Sequence, residues 1–228
     1  MAVGDIHANF DGLMSLWEKI NVTSDDLVIF LGDYIDRGKQ AAEVLQWIMQ
    51  KSKDENFIFL CGNHEQMMVG TFTKRYEPEF WLDNGGNSTL KSLKTNPDFL
   101  VEVVNFLANL PVCHSMKIGG RDYIFVHAGI EEKLSMEEQD IECLLWERTN
   151  FLSKDRGYHG AAMVIVGHTP VQKFFIEKIS DSNENYLMLN GGPGIKFLIA
   201  HTQEENIKIQ PYKIPGRNIF DDGYRFIY

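Results

Sequence analysis

Leu27-Val-Ile-Phe-Leu31 is an apolar run that leads directly into Gly32-Asp33-Tyr34-Ile35-Asp36-Arg37-Gly38, a polar segment bounded by glycines. A short run of branched and aromatic residues that stops beside Gly and Asp is typical of a buried strand with polar residues at its end. Three other runs have the same form and end beside Gly or His: Phe57–Cys61, Tyr123–Val126 and Met163–Val166. We therefore predict four buried strands whose ends carry the chemistry.

Helical periodicity occupies the chain between these strands. Apolar residues recur at helical spacing in Gln40–Met49, and also in Phe10–Ile20, which follows Asn9, a residue suited to a helix cap. Residues 65–109 are predicted to be mostly helical, with loops at Pro78, Asn84-Gly85-Gly86 and Asn96-Pro97. The C-terminal part instead shows strand-like runs at Lys173–Ile179, Tyr186–Leu189, Lys196–Ala200 and Ile207–Gln210. This order predicts an α/β fold with two packed sheets flanked by helices.

The composition narrows the class of protein. With 228 residues, 44% hydrophobic and 24% charged, the chain is predicted to be globular and to form a single domain over residues 1–228. Its net charge of -10 disfavours binding to nucleic acid or to an anionic membrane. An anionic substrate would therefore have to be attracted by charges close to the site.

Cysteine usage and the N-terminus indicate the compartment. Cys61, Cys113 and Cys143 lack CxxC spacing, so neither a disulfide framework nor a thiolate zinc site is predicted. Met1 is followed within three residues by a Gly-Asp motif, which leaves no room for a signal peptide. No apolar run reaches the ~18 residues of a membrane span. We expect a cytoplasmic protein.

Five polar clusters stand at the predicted strand ends and offer hard oxygen and imidazole donors. They are Gly4-Asp5-Ile6-His7, Gly32 to Gly38, Gly62-Asn63-His64-Glu65, His127-Ala128-Gly129 and Gly167-His168-Thr169-Pro170. Carboxylate, amide oxygen and neutral imidazole without thiolate suit manganese, iron or zinc rather than a structural zinc site. The residue types therefore predict a metal centre.

These ligands divide between two metal ions if one carboxylate bridges them. Asp5 and His7 are two residues apart, so on an extended strand they share one face and can bind one ion together. If Asp33 bridges, three ligands remain for the other ion: Asn63, His127 and His168. Two ions about 3.5 to 4 Å apart can hold a hydroxide as a nucleophile at neutral pH.

Three of the clusters form an ordered set. Gly-Asp-x-His at residues 4–7, Gly-Asp-x-x-Asp-Arg-Gly at 32–38 and Gly-Asn-His-Glu at 62–65 are separated by roughly 25 residues each time. The set resembles the signature of the phosphoprotein phosphatase family of the calcineurin-like metallophosphoesterases. It is most similar to the bacterial and bacteriophage lambda type of serine/threonine protein phosphatase, and the resemblance extends from Met1 to about Pro170. It implies a metallophosphoesterase four-layer sandwich, with two packed mixed β-sheets flanked by helices.

The resemblance also implies an activity and a set of site residues. The activity is metal-dependent hydrolysis of phosphate monoesters, in phosphorylated proteins or small phosphoesters, by a bridging hydroxide on a dinuclear centre. Two divalent ions are implied, with Mn2+ favoured and Fe, Zn or Ni as alternatives. The family's metal ligands correspond to Asp5, His7, Asp33, Asn63, His127 and His168.

Four further residues match catalytic positions of the family. His64 corresponds to the general acid that protonates the leaving alkoxide, and Asp36 to the carboxylate that orients it. Arg37 corresponds to an arginine that clamps phosphate oxygens, for which a planar guanidinium is well suited. Arg148 lies in Leu145-Trp146-Glu147-Arg148, which is similar to the bacterial Trp-x-Arg pattern, and is expected to be the second phosphate-binding arginine.

The sequence departs from the family at a few positions. Ala8 stands where the family usually has Gly, and Leu189-Asn190-Gly191-Gly192 replaces the usual Ile-Asp-Thr-Gly beside the site. The eukaryotic Ser-Ala-Pro-Asn-Tyr segment is absent, so no regulatory subunit is predicted. Asn84-Gly85-Gly86 after Trp81 resembles the bacterial subgroup, and it is interpreted either as a helix-ending loop or as a segment that contacts the substrate.

Two alternatives to a protein phosphatase follow from the same motifs. A dinucleoside polyphosphate hydrolase shares most of the metal motifs but usually lacks the Asp-Arg-Gly arrangement. A non-catalytic metal-binding module would keep the fold without the chemistry, although every ligand and both catalytic-type residues are present. Three histidines match no motif and are expected to be structural or solvated: His114, His159 and His201.

Overall fold

A computed structural model describes residues 1–94, 96–118, 121–131, 133–148, 151 and 162–169, together with short strands between residues 186 and 227. The strands are β1 (Ala2–Val3), β2 (Val28–Phe30), β3 (Phe57–Phe59), β4 (Cys113–Ile118), β5 (Arg121–Val126), β6 (Met163–Val166), β7 (Tyr186–Met188), β8 (Phe197–Leu198), β9 (Thr202–Gln203), β10 (Asn206–Ile207), β11 (Gln210–Lys213) and β12 (Tyr224–Ile227). The helices are α1 (Phe10–Ile20), α2 (Ala41–Lys51), α3 (Asn63–Phe72), α4 (Pro78–Trp81), α5 (Asn87–Leu93), α6 (Pro97–Ala108) and α7 (Ile141–Trp146), and a π-helical turn at Leu82–Gly86 joins α4 to α5.

Most of the predicted elements are confirmed. The four buried strands correspond to β2, β3, β5 and β6, and the two periodic segments form α1 and α2. Asn9 caps α1, because its side-chain oxygen accepts a hydrogen bond from the Gly12 amide at 3.0 Å. β4 was not predicted, since its side chains alternate between half-buried and exposed and include few branched residues. The predicted strand Lys173–Ile179 lies outside the described residues.

The strands form two mixed four-stranded sheets. The order in the first sheet is β3-β2-β1-β8, where β1, β2 and β3 are parallel and β8 is antiparallel to β1. In the second sheet the order is β4-β5-β6-β7, where β5, β6 and β7 are parallel and β4 is antiparallel to β5. Strands β9 and β10 form a separate antiparallel pair, as do β11 and β12.

Side-chain alternation on the strands explains why the two sheets pack against each other. On β5, Tyr123 and Phe125 face the first sheet, while Ile124 and Val126 pack with Leu144 of α7 on the opposite face. The buried interface between the sheets consists of Ala2, Ile29, Leu31, Leu60, Tyr123, Phe125, Met163 and Ile165. The result is a helix–sheet–sheet–helix arrangement, as the family resemblance implies.

Helices α1 and α2 cover the outer face of the first sheet. Leu13 and Leu16 of α1 and Val44 and Leu45 of α2 are fully buried against β2, with Phe30 at the centre of this cluster. Among the described residues the longest helix is α6, with 12 residues, and none of the helices there has the length and apolar character needed to cross a bilayer.

Candidate metal centre and active site

The polar clusters of both sheets meet at one edge of the sandwich. They follow β1, β2 and β3 in the first sheet and β5 and β6 in the second, and the carboxyl ends of parallel strands share an edge. Two hydrogen bonds join the sheets there. The His127 ring donates from Nδ1 to the Leu31 carbonyl at 2.8 Å, and the His168 amide donates to Asp5 Oδ1 at 3.0 Å. Residues as far apart in sequence as Asp5 and His168 therefore face a common site.

The backbone at this edge is held in a conformation that most residues avoid. Six non-glycine residues of the clusters have positive φ angles between 47° and 69°: His7, Ala8, Asp33, Asp36, Arg37 and His168. Such residues each cost on the order of 1 to 3 kcal/mol and persist only where the surroundings enforce them. Ala8 is one of them, at φ 51°, which explains why the family usually has Gly at this position.

Gly32 and Gly62 allow two loops to approach each other closely. Gly32 has φ 103°, and a Cβ on it would lie 2.5 Å from the Gly62 nitrogen. A Cβ on Gly62 would lie 2.3 Å from Asp33 Oδ1. Any side chain at either position would therefore push the loop after β2 away from the loop after β3, and with it the Asp33 carboxylate.

The buried Glu65 carboxylate binds the backbone of the same two loops. Its Oε2 accepts hydrogen bonds from the amides of Asp33 at 2.8 Å and Gly62 at 2.9 Å. Its Oε1 accepts from the amides of Tyr34 at 2.9 Å and Ile35 at 3.4 Å. Burial and the nearby charge of Asp33 raise the pKa of Glu65 to about 7. The sequence motif contains Glu65, but sequence reasoning gave it no role.

Asp33 lies at the centre of the cluster, as its predicted bridging role requires. Its Oδ2 is 3.6 Å from His7 Nε2 and 4.0 Å from His64 Nε2, and its Oδ1 is 3.4 Å from His127 Nε2. Burial acts to raise the pKa of Asp33, but the surrounding histidines hold it well below its usual range. The carboxylate is therefore ionised and has an imidazole on each side.

On one side of Asp33, His7 faces both carboxylates of the first predicted ligand set. Its Nδ1 is 3.0 Å from the Ile35 carbonyl, which can only accept, so the proton is on Nδ1 and Nε2 carries a lone pair. This Nε2 lies 3.9 Å from Asp5 Oδ2. Burial lowers the pKa of His7, which keeps the ring in the neutral form that binds metals.

On the other side, three ligand atoms converge on one point. His127 donates its Nδ1 proton to Leu31, so its Nε2 carries a lone pair in the neutral ring. That Nε2 is 3.0 Å from Asn63 Oδ1 and 3.1 Å from His168 Nδ1. Acceptors this close repel one another unless a cation lies between them, and a proton can fill that place. Accordingly, although burial opposes it, the charge of Asp33 raises the pKa of His127 to about 9.

His168 completes this half of the site. It is 4% exposed, and its Nε2 is buried without a hydrogen-bond partner among the described residues. Burial and the neighbouring His127 lower the pKa of His168 to about 2. A neutral buried imidazole that is turned toward Asp33 and His127 suits a metal ligand better than a structural hydrogen-bond donor.

The donor set fits divalent metal ions. Two groups have ligand atoms that all lie within 4.8 Å of one another: His7, Asp33 and His64 in the first, and Asp33, His127 and His168 in the second. Asp33 belongs to both groups, which agrees with a shared carboxylate. His64 belongs to the first group by distance, but it is not expected to bind metal, because Asp36 binds its Nδ1 and Arg37 binds its Nε2.

His64 and Asp36 form a buried pair beside Asp33. Asp36 Oδ2 lies 2.7 Å from His64 Nδ1, and the two side chains are 0% and 1% exposed. Burial acts to lower the pKa of His64, but the charge of Asp33 and the hydrogen bond to Asp36 raise it above the ordinary histidine value. The ring Nε2 lies 4.0 Å from Asp33 Oδ2 and 3.0 Å from the Arg37 guanidinium. Because a guanidinium can only donate, Nε2 carries a proton only when Arg37 binds elsewhere.

Sequence reasoning did not identify two residues that bind Asp36. Trp81 donates from Nε1 to Asp36 Oδ2 at 2.9 Å, and Thr89 donates from Oγ1 to Oδ1 at 2.7 Å. Both lie in the helical segment that contains Asn84-Gly85-Gly86. The resemblance of this segment to the bacterial subgroup was the only sequence signal that pointed to it.

The two predicted arginines lie at the open side of the site. The Arg37 guanidinium is exposed and donates to His7 Nε2 and to His64 Nε2, each at 3.0 Å. Arg148 donates to the His168 carbonyl at 3.5 Å. Burial lowers the pKa of Arg148 without removing its charge at neutral pH. Of the three histidines outside the motifs, His114 is on β4 beside Phe125, and His159 and His201 lie outside the described residues.

Comparison with known proteins decides the family. The model of the calcineurin-like phosphoesterases matches residues 1–204 of this chain. The chain belongs to the calcineurin-like phosphoesterase family. Two relatives from Salmonella typhimurium are serine/threonine-protein phosphatase 2 and serine/threonine-protein phosphatase 1. The first is 30% identical over 173 residues, which are 73% of this chain and 77% of the relative. The second is 24% identical over 204 residues, which are 88% and 90% of the two chains.

Solved structures of the family have the same fold. A cold-active protein tyrosine phosphatase superposes with a TM-score of 0.59 at 18% identity, over 86% of this chain and 72% of the other. A candidate diadenosine tetraphosphatase superposes with a TM-score of 0.56 at 16% identity, over 83% and 82%. These likenesses support the four-layer architecture expected from the sequence, and at such identities they carry no information on substrate.

Proposed function

We propose that this calcineurin-like phosphoesterase is a metal-dependent serine/threonine protein phosphatase with a dinuclear metal centre and His64 as general acid. The observation that carries the proposal is the buried His64–Asp36 pair, 2.7 Å apart, whose other ring nitrogen faces Asp33 and the Arg37 guanidinium. A phosphate monoester releases an alkoxide that needs a proton, and this pair is built to deliver one. The two Salmonella relatives support phosphoserine and phosphothreonine as the substrates.

The metal ions would be held by the six residues whose donor atoms converge around Asp33. One ion would bind Asp5 and His7, the other would bind Asn63, His127 and His168, and Asp33 would bridge them. When bound, such ions lower the pKa of a water molecule and offset charge on the phosphoryl oxygens. Carboxylate, amide and imidazole ligands accept Mn2+ as well as Fe or Zn.

The protein itself supplies the proton and the orientation of the substrate. With Arg37 on a phosphate oxygen, His64 would hold a proton on Nε2, because Asp36 accepts from Nδ1 on one side and Asp33 provides a negative charge on the other. Protonation of the leaving oxygen in the transition state contributes about a hundredfold to ten-thousandfold. Asp36 stays an acceptor and keeps the ring in one orientation, so that Nε2 is the nitrogen that gives up the proton.

Arg37 and Arg148 would hold the phosphoryl group on the open side of the site. Arg37 donates to the two ring nitrogens that face Asp33, so its guanidinium already lies where a phosphate oxygen would approach. Arg148 lies next to His168 on the other half of the cluster. Two guanidinium groups in place before the reaction stabilise charge that develops on the phosphoryl oxygens. They also provide the local attraction that the net charge of -10 makes necessary.

The test is phosphate release from a phosphoserine peptide and from diadenosine tetraphosphate, with and without added Mn2+. The native protein is expected to need Mn2+ and to prefer the peptide, and Asp33→Asn and His64→Asn should each lose about a hundredfold or more. Matched controls are Asp122→Asn, an exposed carboxylate that pairs with Lys117, and His114→Asn on β4. Preference for the dinucleotide would indicate the alternative hydrolase, and folded protein that stays inactive with added Mn2+ would indicate the non-catalytic module.

A further inference from the structure

The Asp36 carboxylate accepts hydrogen bonds from side chains other than His64. The carboxylate is 0% exposed, and besides His64 it accepts hydrogen bonds from two side chains that are distant in sequence. The Trp81 indole N–H lies 2.9 Å from Oδ2 and 3.2 Å from Oδ1, so both oxygens share it. The Thr89 hydroxyl donates to Oδ1 at 2.7 Å. Among the described residues, the side-chain donors that contact Asp36, apart from His64, therefore come from residues 78–94.

We infer that Trp81 and Thr89 are positioning residues for the general acid, acting on His64 through Asp36. This inference rests on the proposed function, because it assigns to two new residues a part of the proton transfer proposed for His64. By holding both carboxylate oxygens, they leave one lone-pair direction on Oδ2 for the ring Nδ1–H. Both residues are buried, at 1% and 0% exposure, so they lie away from the open side of the site.

Thr89 fixes the backbone of Asp36 as well as its side chain. The Asp36 amide donates to Thr89 Oγ1 at 2.8 Å, while the same hydroxyl donates its proton to Asp36 Oδ1. This reciprocal pair closes around a residue whose φ is 69°, a left-handed conformation that Asp rarely adopts without support. Because the amide requires an acceptor, the hydroxyl has to point its proton at the carboxylate.

Trp81 is held in place by the glycines that follow it. Its ring is 1% exposed, and a Cβ on Gly86 would lie 2.5 Å from ring atom Cε2, so only glycine allows this packing. Gly85 has φ 107°, and its carbonyl accepts from the Arg37 amide at 3.4 Å. The Asn84-Gly85-Gly86 turn is therefore more than a helix-ending loop. It seats Trp81 against Asp36 and contacts the backbone of the adjacent Arg37.

The inference predicts a dependence on the leaving group that a purely structural role would not produce. Phenyl phosphate needs its leaving oxygen protonated, whereas 2,4-dinitrophenyl phosphate leaves without that help. In Thr89→Val and in Trp81→Phe, kcat/KM for phenyl phosphate is expected to fall about tenfold, and that for dinitrophenyl phosphate by less than about threefold. His64→Asn should show the same selectivity with a larger loss.

Matched controls separate the proposed role from loss of fold. Thr71→Val removes a hydroxyl that binds the Met67 carbonyl within α3, and Trp47→Phe changes an aromatic residue packed on Trp17 and Phe30. Both should leave the ratio of the two kcat/KM values unchanged. Thermal unfolding measures the stability of every variant. A general loss of structure would lower kcat/KM equally for both substrates.

A second readout does not depend on turnover. The Nδ1 proton of His64, hydrogen-bonded to a carboxylate at 2.7 Å, should give a downfield imidazole NMR signal that is absent in His64→Asn. Thr89→Val and Trp81→Phe are expected to shift or broaden this signal, and Thr71→Val and Trp47→Phe to leave it in place.

The outcomes distinguish this inference from the function on which it rests. Selective loss in His64→Asn together with the two positioning variants supports the inference. Selective loss in His64→Asn alone, or an equal fall for both substrates in Thr89→Val and Trp81→Phe, overturns the inference and keeps the proposed function. Equal loss in His64→Asn removes the general-acid role, and both proposals fail.

Discussion

Two buried carboxylates at the loop of residues 32–38 are bound by different kinds of donor. Asp36 lies within this loop, and Glu65 lies at the start of α3 and binds the loop backbone. Around Glu65 all the hydrogen bonds come from backbone amides, those of Gly62, Asp33, Tyr34 and Ile35. Around Asp36 they come from the side chains of His64, Trp81 and Thr89. Both carboxylates are 0% exposed, so burial does not account for the difference.

The difference teaches which contacts can adapt. A backbone amide can only donate, so the four amides around Glu65 need four acceptor positions. At Asp36 a neutral amide keeps one oxygen for His64 and Trp81, and the Thr89 hydroxyl is the donor that loses its acceptor. We therefore expect the hydrogen bonds of Glu65 to determine the shape of the loop of residues 32–38 and the stability of the protein. Those of Asp36 are expected to determine proton transfer.

The largest effect is expected for Asp36→Asn, measured as kcat for a phosphoserine peptide. The Asn oxygen can take the place of Oδ2, while the Thr89 hydroxyl loses its acceptor at Oδ1, so the fold is retained with a loss of about 1 to 3 kcal/mol. The charge that keeps the proton on His64 is removed, and kcat should fall about a hundredfold or more. If Asp36→Asn lost much of its free energy of unfolding but kept its kcat, the roles assigned to Asp36 and Glu65 would be wrong.

Glu65→Gln should show the opposite pattern. Whichever oxygen becomes NH2 then faces two backbone N–H groups that cannot turn away, and the free energy of unfolding is expected to fall by about 2 to 4 kcal/mol. Urea unfolding monitored by tryptophan fluorescence measures this change, and Glu102→Gln on the exposed side of α6 is the matched control. No difference between the two variants would show that the amide clamp is unimportant for stability.

Metal affinity sharpens the comparison further. Because Glu65 holds the amide of Asp33, the proposed bridging ligand, Glu65→Gln is expected to weaken Mn2+ binding about tenfold, as changes behind metal ligands commonly do. Asp36→Asn should change it by less than about threefold, because Asp36 supports His64 rather than a ligand. Calorimetric titration of metal-free protein gives both values, and equal weakening would contradict this division.

The smallest effect is expected for Arg148→Lys. Arg148 contacts the site through one hydrogen bond of 3.5 Å to the His168 carbonyl, so a lysine keeps the charge and loses only the planar fork. KM for a phosphopeptide should rise about threefold with kcat nearly unchanged. Arg37→Lys should have a larger effect, because Arg37 contacts both His7 and His64. If Arg148→Lys changed KM or kcat more than Arg37→Lys, Arg148 would be the more important phosphate-binding arginine.

Much of the fold could be predicted from the sequence because its signals are local. β2, β3, β5 and β6 are continuous apolar runs, and α1 and α2 repeat their apolar residues at helical spacing. β4 escaped prediction because its partner β5 stabilises it through pairing along its whole length, while its own side chains stay partly exposed. An edge strand of this kind has little apolar pattern to recognise.

The sequence by itself determined which candidate ligands are present and in what order, because each Asp, Asn or His follows a strand whose apolar pattern can be read locally. Only the tertiary structure decided how the carboxylates are used. Glu65 binds amides up to 32 residues away, and Asp36 binds Trp81 and Thr89 at separations of 45 and 53 residues. Such contacts depend on how the loops after β2 and β3 and a helical segment pack together, and no periodicity in the chain encodes them.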